Sequence, residues 1–304
     1  MEKETFVVQS PFDDLKLHGV IIRPENPKAI IQILHGMCEF KERYEEFMQF
    51  FARHGYLVVC HDHRGHGDSV VKEEDRGYLY DFSGKAIVDD AALITRYVKE
   101  KYPNLPVYLF GHSMGSMIAR CYIQKYDTLV DKVVVCGSPS KNPLVDVAIL
   151  LTKTIRLFRG ERYKSKMLAY LSTGKGNERF KEEGPSNWLS RNRENIEKFI
   201  TDPKGKVHFS VNGYENLFKL MRDTYRRKMY QVQNPAMPIF FVSGSDDAVL
   251  VNEKKWRASV EDMKKVGYQN VSCKLYPKLR HEIFNDIGGE EVMEDLLEFF
   301  NRQV

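Results

Sequence analysis

The chain has 304 residues, 42% of them hydrophobic and 29% charged, and a formal net charge of +4. That length accommodates one large domain or a domain carrying an insertion, and the ordinary composition excludes disorder, collagen-like repeats and a coiled coil. The small net charge argues against a nucleic-acid partner, and no apolar run approaches the ~18 residues of a membrane-spanning helix.

Residues Met1 to Val8 contain no apolar signal region, which leads to the expectation of a cytoplasmic protein. The five cysteines, Cys38, Cys60, Cys121, Cys136 and Cys273, are widely spaced and include no C-x-x-C, as expected of free thiols in a reducing compartment. In chain order, Phe6–Gln9 and Leu15–Arg23 alternate apolar and polar residues around a turn and predict an antiparallel hairpin. The rhythm then changes. Short apolar runs at Ala29–Leu34, Tyr56–Cys60, Val107–Phe110 and Lys132–Cys136 alternate with helical patterns at Arg43–Arg53, Lys85–Lys101 and Met114–Gln124. This alternation predicts an α/β fold with a mostly parallel sheet covered on both faces.

The strand repeat stops between Lys141 and Gln233, where three charged helices are expected, at Leu144–Arg159, Ser186–Thr201 and Tyr214–Tyr230. It resumes at Ile239–Val242, followed by a helix at Glu253–Lys265, a strand at Val271–Tyr276 and a terminal helix at Glu290–Asn301. The expected organisation is therefore a core of residues 1–140 and 234–304 interrupted by a helical cap over 141–233. The cap holds 20 Lys and Arg against 10 Asp and Glu, which leaves the core net negative. A basic cap suits either solvated helix faces or peripheral contact with an anionic membrane. The stretch Val145–Phe158, apolar on one side with Lys153, Arg156 and Arg159 near its end, suits a lid helix lying against lipid and equally a helix packed on the sheet.

The strongest chemical signal is Gly111-His112-Ser113-Met114-Gly115, placed between a predicted strand and a predicted helix. A G-x-S-x-G turn in that context exposes the serine oxygen at the sheet edge and sets it at a helix N-terminus, where free N–H groups favour a developing oxyanion. A serine needs a base, and in this arrangement the acid and histidine follow the nucleophile in the chain. Asp246 and Asp247 follow the strand Ile239–Val242, and His281 follows Val271–Tyr276. Of the two aspartates, Asp247 stands directly before the apolar stretch Ala248-Val249-Leu250, the usual place of the acid. The expected triad is Ser113, Asp247 and His281. The expected oxyanion donors are the backbone N–H of Met114 and that of Met37, in the loop after the strand Ala29–Leu34. No metal or organic cofactor is implied.

Together these residues resemble an α/β-hydrolase of the monoacylglycerol lipase and lysophospholipase group. His35-Gly-Met-Cys-Glu39, with Arg43-Tyr44, resembles that group's His-Gly-x-x-Glu-His segment, and His61-Asp-His-Arg-Gly-His-Gly67 its His-Asp-x-x-Gly-His-Gly turn. Gly111–Ser116, Gly244–Asp247 and Arg280-His281-Glu282 resemble its elbow, acid and base segments. The resemblance implies a serine hydrolase of small-molecule lipid esters, such as a monoacylglycerol or lysophospholipid. It also implies Glu39 as a contact to the substrate headgroup, beside a structural reading as a salt bridge or helix cap. Phe40 stands where the group usually has His, which bears on glycerol selectivity and leaves ester hydrolysis intact.

Other readings fit less well. His61, His63, His66 and Asp68 resemble a metal cluster, but Gly65 occupies the position where the metallo-hydrolase pattern needs Asp, so a tight turn is expected. Ser113 at the elbow argues against halide- or epoxide-cleaving members of the fold. An N-terminal peptidase needs an acidic pocket for its substrate amine, whereas this cap is basic. A short-chain carboxylesterase remains an alternative, and a non-catalytic binding protein would be expected to have lost a triad position.

Overall fold

The short apolar runs become strands because they are buried on both sides, where β-branched side chains pack well. The computed structural model describes residues 1–184 and 186–303. Its strands are β1 (Glu2–Gln9), β2 (Lys16–Arg23), β3 (Ala29–Leu34), β4 (Tyr56–His61), β5 (Val107–His112), β6 (Lys132–Cys136), β7 (Ile239–Gly244) and β8 (Val271–Tyr276). They form an eight-stranded sheet in the order β1-β2-β4-β3-β5-β6-β7-β8. β1 pairs antiparallel with β2, and β2 antiparallel with β4. From β4 to β8 every pairing is parallel. The expected mostly parallel sheet with an N-terminal hairpin is thus the observed one, although β1 begins four residues before the expected Phe6.

The helices are α1 (Glu45–Arg53), α2 (Ala86–Lys101), α3 (Met114–Tyr126), α4 (Val145–Arg159), α5 (Lys166–Ala169), α6 (Lys175–Arg179), α7 (Arg193–Thr201), α8 (Val211–Thr224), α9 (Glu253–Lys265) and α10 (Gly289–Asn301). Alternate residues of each strand point to opposite faces, so the sheet serves two cores. Ile30, Leu34, Leu109 and Val135 pack with α2, α3, α8 and α9. Ile31, Ile33, Phe110 and Val134 pack with Phe47, Met48 and Phe51 of α1 and with Leu296, Phe299 and Phe300 of α10. Each such side chain contributes roughly 1.5–3 kcal/mol by leaving water. Gln32 lies on the face of Ile30 and Leu34, against α2, at 0% exposure. It is satisfied there, accepting from Thr95 Oγ1 at 2.6 Å and donating to the Ala91 carbonyl at 2.9 Å.

Between β6 and β7 the described residues form helices and irregular segments and no strand. The expected helix over 186–201 forms only as α7, and 186–192 is irregular, held by side chains from the loop after β8. The expected helix over 214–230 starts earlier, where Ser210 caps Gly213 N, and stops at Thr224. α8 packs against α3, and its Asn212 and Asn216 donate to the Asp81 carbonyl. α4 buries Val145, Ile149 and Thr152. Its other side leaves Val147, Leu150, Leu157 and Phe158 exposed, the last two at 80% and 77%. Among the described residues no helix is long and apolar enough to cross a membrane.

The sheet order reverses direction at β3, whose neighbours are β4 on one side and β5 on the other. Loops leaving the carboxyl ends of β3 and β5 therefore diverge and open a crevice, the place where open α/β sheets bind ligands.

Candidate active site

The crevice is built around the turn from β5 into α3. Ser113 sits at φ 54°, ψ −117°, a left-handed backbone that costs a non-glycine residue roughly 1–3 kcal/mol. Close packing holds it there. A side-chain carbon on Gly111 would overlap the Gly115 carbonyl, and one on Gly115 would overlap the carbonyls of Leu34 and His35. The Ser113 amide donates to the Cys136 carbonyl at 2.9 Å, pinning the turn to β6. The result lifts Oγ off the sheet edge and allows α3 to start against the end of β3.

The other expected residues converge on this oxygen. His281 Nε2 lies 2.8 Å from Ser113 Oγ, and Nδ1 lies 3.0 Å from each carboxylate oxygen of Asp247. Asp247 caps the short turn after β7, accepting from Val249 N at 3.0 Å, and also accepts from Ser243 Oγ at 3.0 Å. It is buried, as is His281. Asp246 points away, toward Arg179 at 3.5 Å. With Nδ1–H donating to the carboxylate, Nε2 is free to accept the serine proton, which is the arrangement that activates a hydroxyl for attack on an acyl carbon.

The loop after β3 lies beside Ser113, since a side-chain carbon on Gly36 would stand 3.2 Å from Ser113 Cβ. Met37 follows in that loop. Met114 opens α3, where the first N–H groups lack an intrahelical acceptor.

Glu39, expected either as a headgroup contact or as a salt bridge or helix cap, lies inside the protein. It is only 4% exposed. Its oxygens accept from Gly36 N at 2.5 Å, Tyr44 Oη at 2.8 Å and Arg43 Nη1 at 2.8 Å, and Oε2 lies 3.1 Å from His112 Nδ1. These contacts engage both carboxylate oxygens. Burial alone would raise its carboxyl, but the adjoining His112 and Arg43 outweigh burial and hold it well below the usual carboxylate range.

The histidines that resemble metal ligands form a packed cluster. His35 and His63 rings are 4.0 Å apart, His61 and His63 4.8 Å, and His35 and His66 5.1 Å. His63 N donates to His35 Nε2 at 2.9 Å. Asp68, the fourth member of the pattern, is turned to Lys41 and Lys204 at 2.6 and 2.8 Å. The segment is the expected tight turn: Gly65 and Gly67 have φ of 74° and 49°, and Asp62 closes it by accepting from Asp68 N and Lys41 N, both at 2.8 Å.

Two residues were not anticipated. The Trp188 ring lies 5.0 Å from the His281 ring, tilted by 31°, covering the histidine from the segment before α7. Arg280 donates to the Asn187 carbonyl and to both Glu183 oxygens, and stacks on Phe180 at 3.9 Å. Trp188 falls in a stretch expected as helix, and nothing in that local pattern marks it as a neighbour of His281. Arg280 could have been noticed as a cation beside the candidate base.

Comparison with known proteins agrees with this geometry. The model of the serine aminopeptidase S33 family matches residues 25–288. The chain belongs to that family. A monoacylglycerol lipase of Mycolicibacterium smegmatis is 28% identical, over 89% of this chain and 87% of its own length. A probable lysophospholipase L2 of Haemophilus influenzae is 27% identical, over 93% and 87% respectively. The structure of a thermostable carboxyl esterase from Bacillus coagulans, solved with glycerol, superposes with a TM-score of 0.88 at 26% identity, covering 99% of this chain and 98% of that one. As a member of the serine aminopeptidase S33 family, the chain shares its α/β-hydrolase fold with these proteins.

Proposed function

We propose that this protein is a serine carboxylic-ester hydrolase acting on single-chain lipid esters, a monoacylglycerol or a lysophospholipid, through an acyl-enzyme on Ser113. The observation that carries the reading is the continuous line from Ser113 Oγ through His281 to Asp247, at 2.8 and 3.0 Å. Ser113 attacks the acyl carbon as His281 Nε2 takes its proton. His281 then passes that proton to the departing alcohol, and water releases the fatty acid in a second, mirrored step. Asp247 keeps the imidazole in the correct tautomer. The Met37 and Met114 amides hold the oxyanion, each worth about 2.7–4 kcal/mol in the transition state. The scheme needs no cofactor or metal.

Residues 141–233 form the cap, rooted on the core through α8 and leaning on the base through Trp188. Its outer face favours peripheral contact with an anionic membrane: the exposed Leu150, Leu157 and Phe158 are flanked by Lys153 and Arg159. Five free thiols suit a reducing, cytoplasmic setting. The relatives' names favour lipid esters, and the basic cap disfavours a substrate amine.

The test is fatty-acid release from monoacylglycerol, lysophosphatidylcholine, a short p-nitrophenyl ester and an aminoacyl amide, with Ser113→Ala as control. Serine-dependent turnover of one lipid headgroup above the others is the expected result. Turnover of the short ester alone makes the protein a general carboxylesterase, turnover of the amide makes it a peptidase, and activity surviving in Ser113→Ala removes the proposed nucleophile.

A further inference from the structure

The residue before the nucleophile, His112, is fully enclosed, yet both of its ring nitrogens face acceptors. Nδ1 lies 3.1 Å from Glu39 Oε2 and 3.2 Å from Tyr44 Oη. The Tyr44 hydroxyl spends its own proton on Glu39 at 2.8 Å, so toward His112 it offers a lone pair. On the other side of the ring, Nε2 lies 3.2 Å from the main-chain carbonyl of His281. A neutral imidazole carries one N–H and would leave one of these contacts lone pair against lone pair, whereas an imidazolium satisfies both.

Charge counting agrees. Glu39 pairs with Arg43 at 2.8 Å, and Arg43 pairs with Glu282 at 2.8 Å. All three are buried or nearly so, and Asn195 supplies a neutral donor to Glu282 at 2.7 Å. Glu39, Arg43 and Glu282 alone leave one negative charge uncompensated in a site shielded from water, which is costly. A positive His112 balances it.

We infer that His112 is held as an imidazolium and acts as a positioning residue, closing a buried chain of alternating charges, His112–Glu39–Arg43–Glu282, that locks three catalytic loops together. The chain starts on the strand that carries Ser113. It passes through Glu39, whose carboxylate holds the Gly36 amide of the oxyanion loop. It ends at Glu282, next to the proposed base, while His112 Nε2–H grips the base's own carbonyl. The groups facing His112 are Glu39 and Tyr44 from the β3–α1 region, Glu282 and the rings of His281 and Phe284 from the loop after β8. Burial opposes its protonation, but the charges of Glu39 and Glu282 and the bond to Glu39 prevail and raise its pKa above the ordinary imidazole value.

The role in catalysis rests on the proposed triad; the protonation state does not, and the experiment separates the two. Nitrogen-15 NMR of the histidine side chains in the intact protein at pH 7.5, with His112→Gln used for assignment, should show both His112 nitrogens protonated. In Glu39→Gln the ring should revert to a neutral tautomer. His112→Gln, checked for folding by circular dichroism, should lower kcat by about 10- to 100-fold, with KM changed far less, because it loosens the base and not the substrate site. One unprotonated nitrogen in the wild type overturns the imidazolium, and a ring still doubly protonated in Glu39→Gln overturns Glu39 as its partner. A folded His112→Gln enzyme with wild-type kcat overturns the positioning role. Activity independent of Ser113 would overturn the triad instead and leave the NMR result standing.

Discussion

The buried histidine cluster is expected to make this fold acid-labile, by an extent that follows from its burial. His35, His61, His63 and His66 are all at most 1% exposed. Among the described residues, neither ring nitrogen of His61 or His63 has a hydrogen-bond partner. Burial drives all four toward the neutral form: His61 is pushed down to about 3 and His66 to about 4, with His35 and His63 well below the ordinary value. In the unfolded chain each titrates near 6.5. Their contribution to stability is therefore complete above about pH 6.5 and is lost as pH falls toward the folded values, because the unfolded state takes up protons that the folded state refuses. The limiting slope is about 1.4 kcal/mol per pH unit for each ring, or about 5 for four. Domains are typically stable by about 5–15 kcal/mol, so unfolding is expected within roughly one to three units below pH 6.5. His112 does not offset this loss, since a raised histidine has its full effect below pH 6.5. Asp62 and Asp90, whose carboxyls burial pushes up, work in the opposite sense. A variant therefore has to isolate the imidazoles. Urea unfolding followed by circular dichroism from pH 7.5 to 5, on wild type and on His61→Phe, provides the test. The substitution loses no hydrogen bond and should remove about a quarter of the histidine slope. Stability flat across this range, or an unchanged slope in His61→Phe, would refute the argument.

Three further outcomes are expected. Asp247→Asn should lower kcat by about 10⁴-fold through the wrong imidazole tautomer, while Asp246→Asn stays near wild type; steady-state kinetics showing the reverse would move the acid by one residue. Gly115→Ala forces a carbon against the Leu34 and His35 carbonyls and should cost at least about 1–3 kcal/mol in urea unfolding; a neutral result would mean that α3 is not tightly seated on β3. Replacing both Leu157 and Phe158 with Asp should weaken sedimentation with anionic vesicles at least about tenfold, given roughly 1.5–3 kcal/mol for each buried apolar side chain, and should spare hydrolysis of a short soluble ester. Unaltered vesicle binding would reduce that face to ordinary surface.

Much of the core was legible along the chain because parallel strands and their crossover helices differ in period and length. β3 to β8 and helices α1, α2, α3, α9 and α10 fall within a few residues of their expected positions. The convergence of Ser113, Asp247 and His281 was legible for a related reason. Each of the three follows the end of a strand within a few residues, and those strand ends lie along one edge of the sheet. The cap was less legible. Residues 186–192, expected as the first turns of a helix, are irregular: they are rich in Ser and Asn, and Asp286, Arg280 and the Glu282 amide claim their polar groups. Those partners lie almost 100 positions away, beyond the reach of any local pattern.

Glu39 shows where sequence ends and tertiary structure begins. The motif His35-Gly-Met-Cys-Glu39 specifies a carboxylate beside the oxyanion loop, and the elbow glycines specify a turn that only small residues permit. These are local steric and spacing rules, readable residue by residue. Whether that carboxylate faces a substrate or is spent on Gly36, Tyr44, Arg43 and His112 depends on how β3, β5 and the loop after β8 come together. The charge of His112 and the neutrality of the four enclosed imidazoles likewise depend on burial and on which charges become neighbours, and those are properties of the folded chain alone.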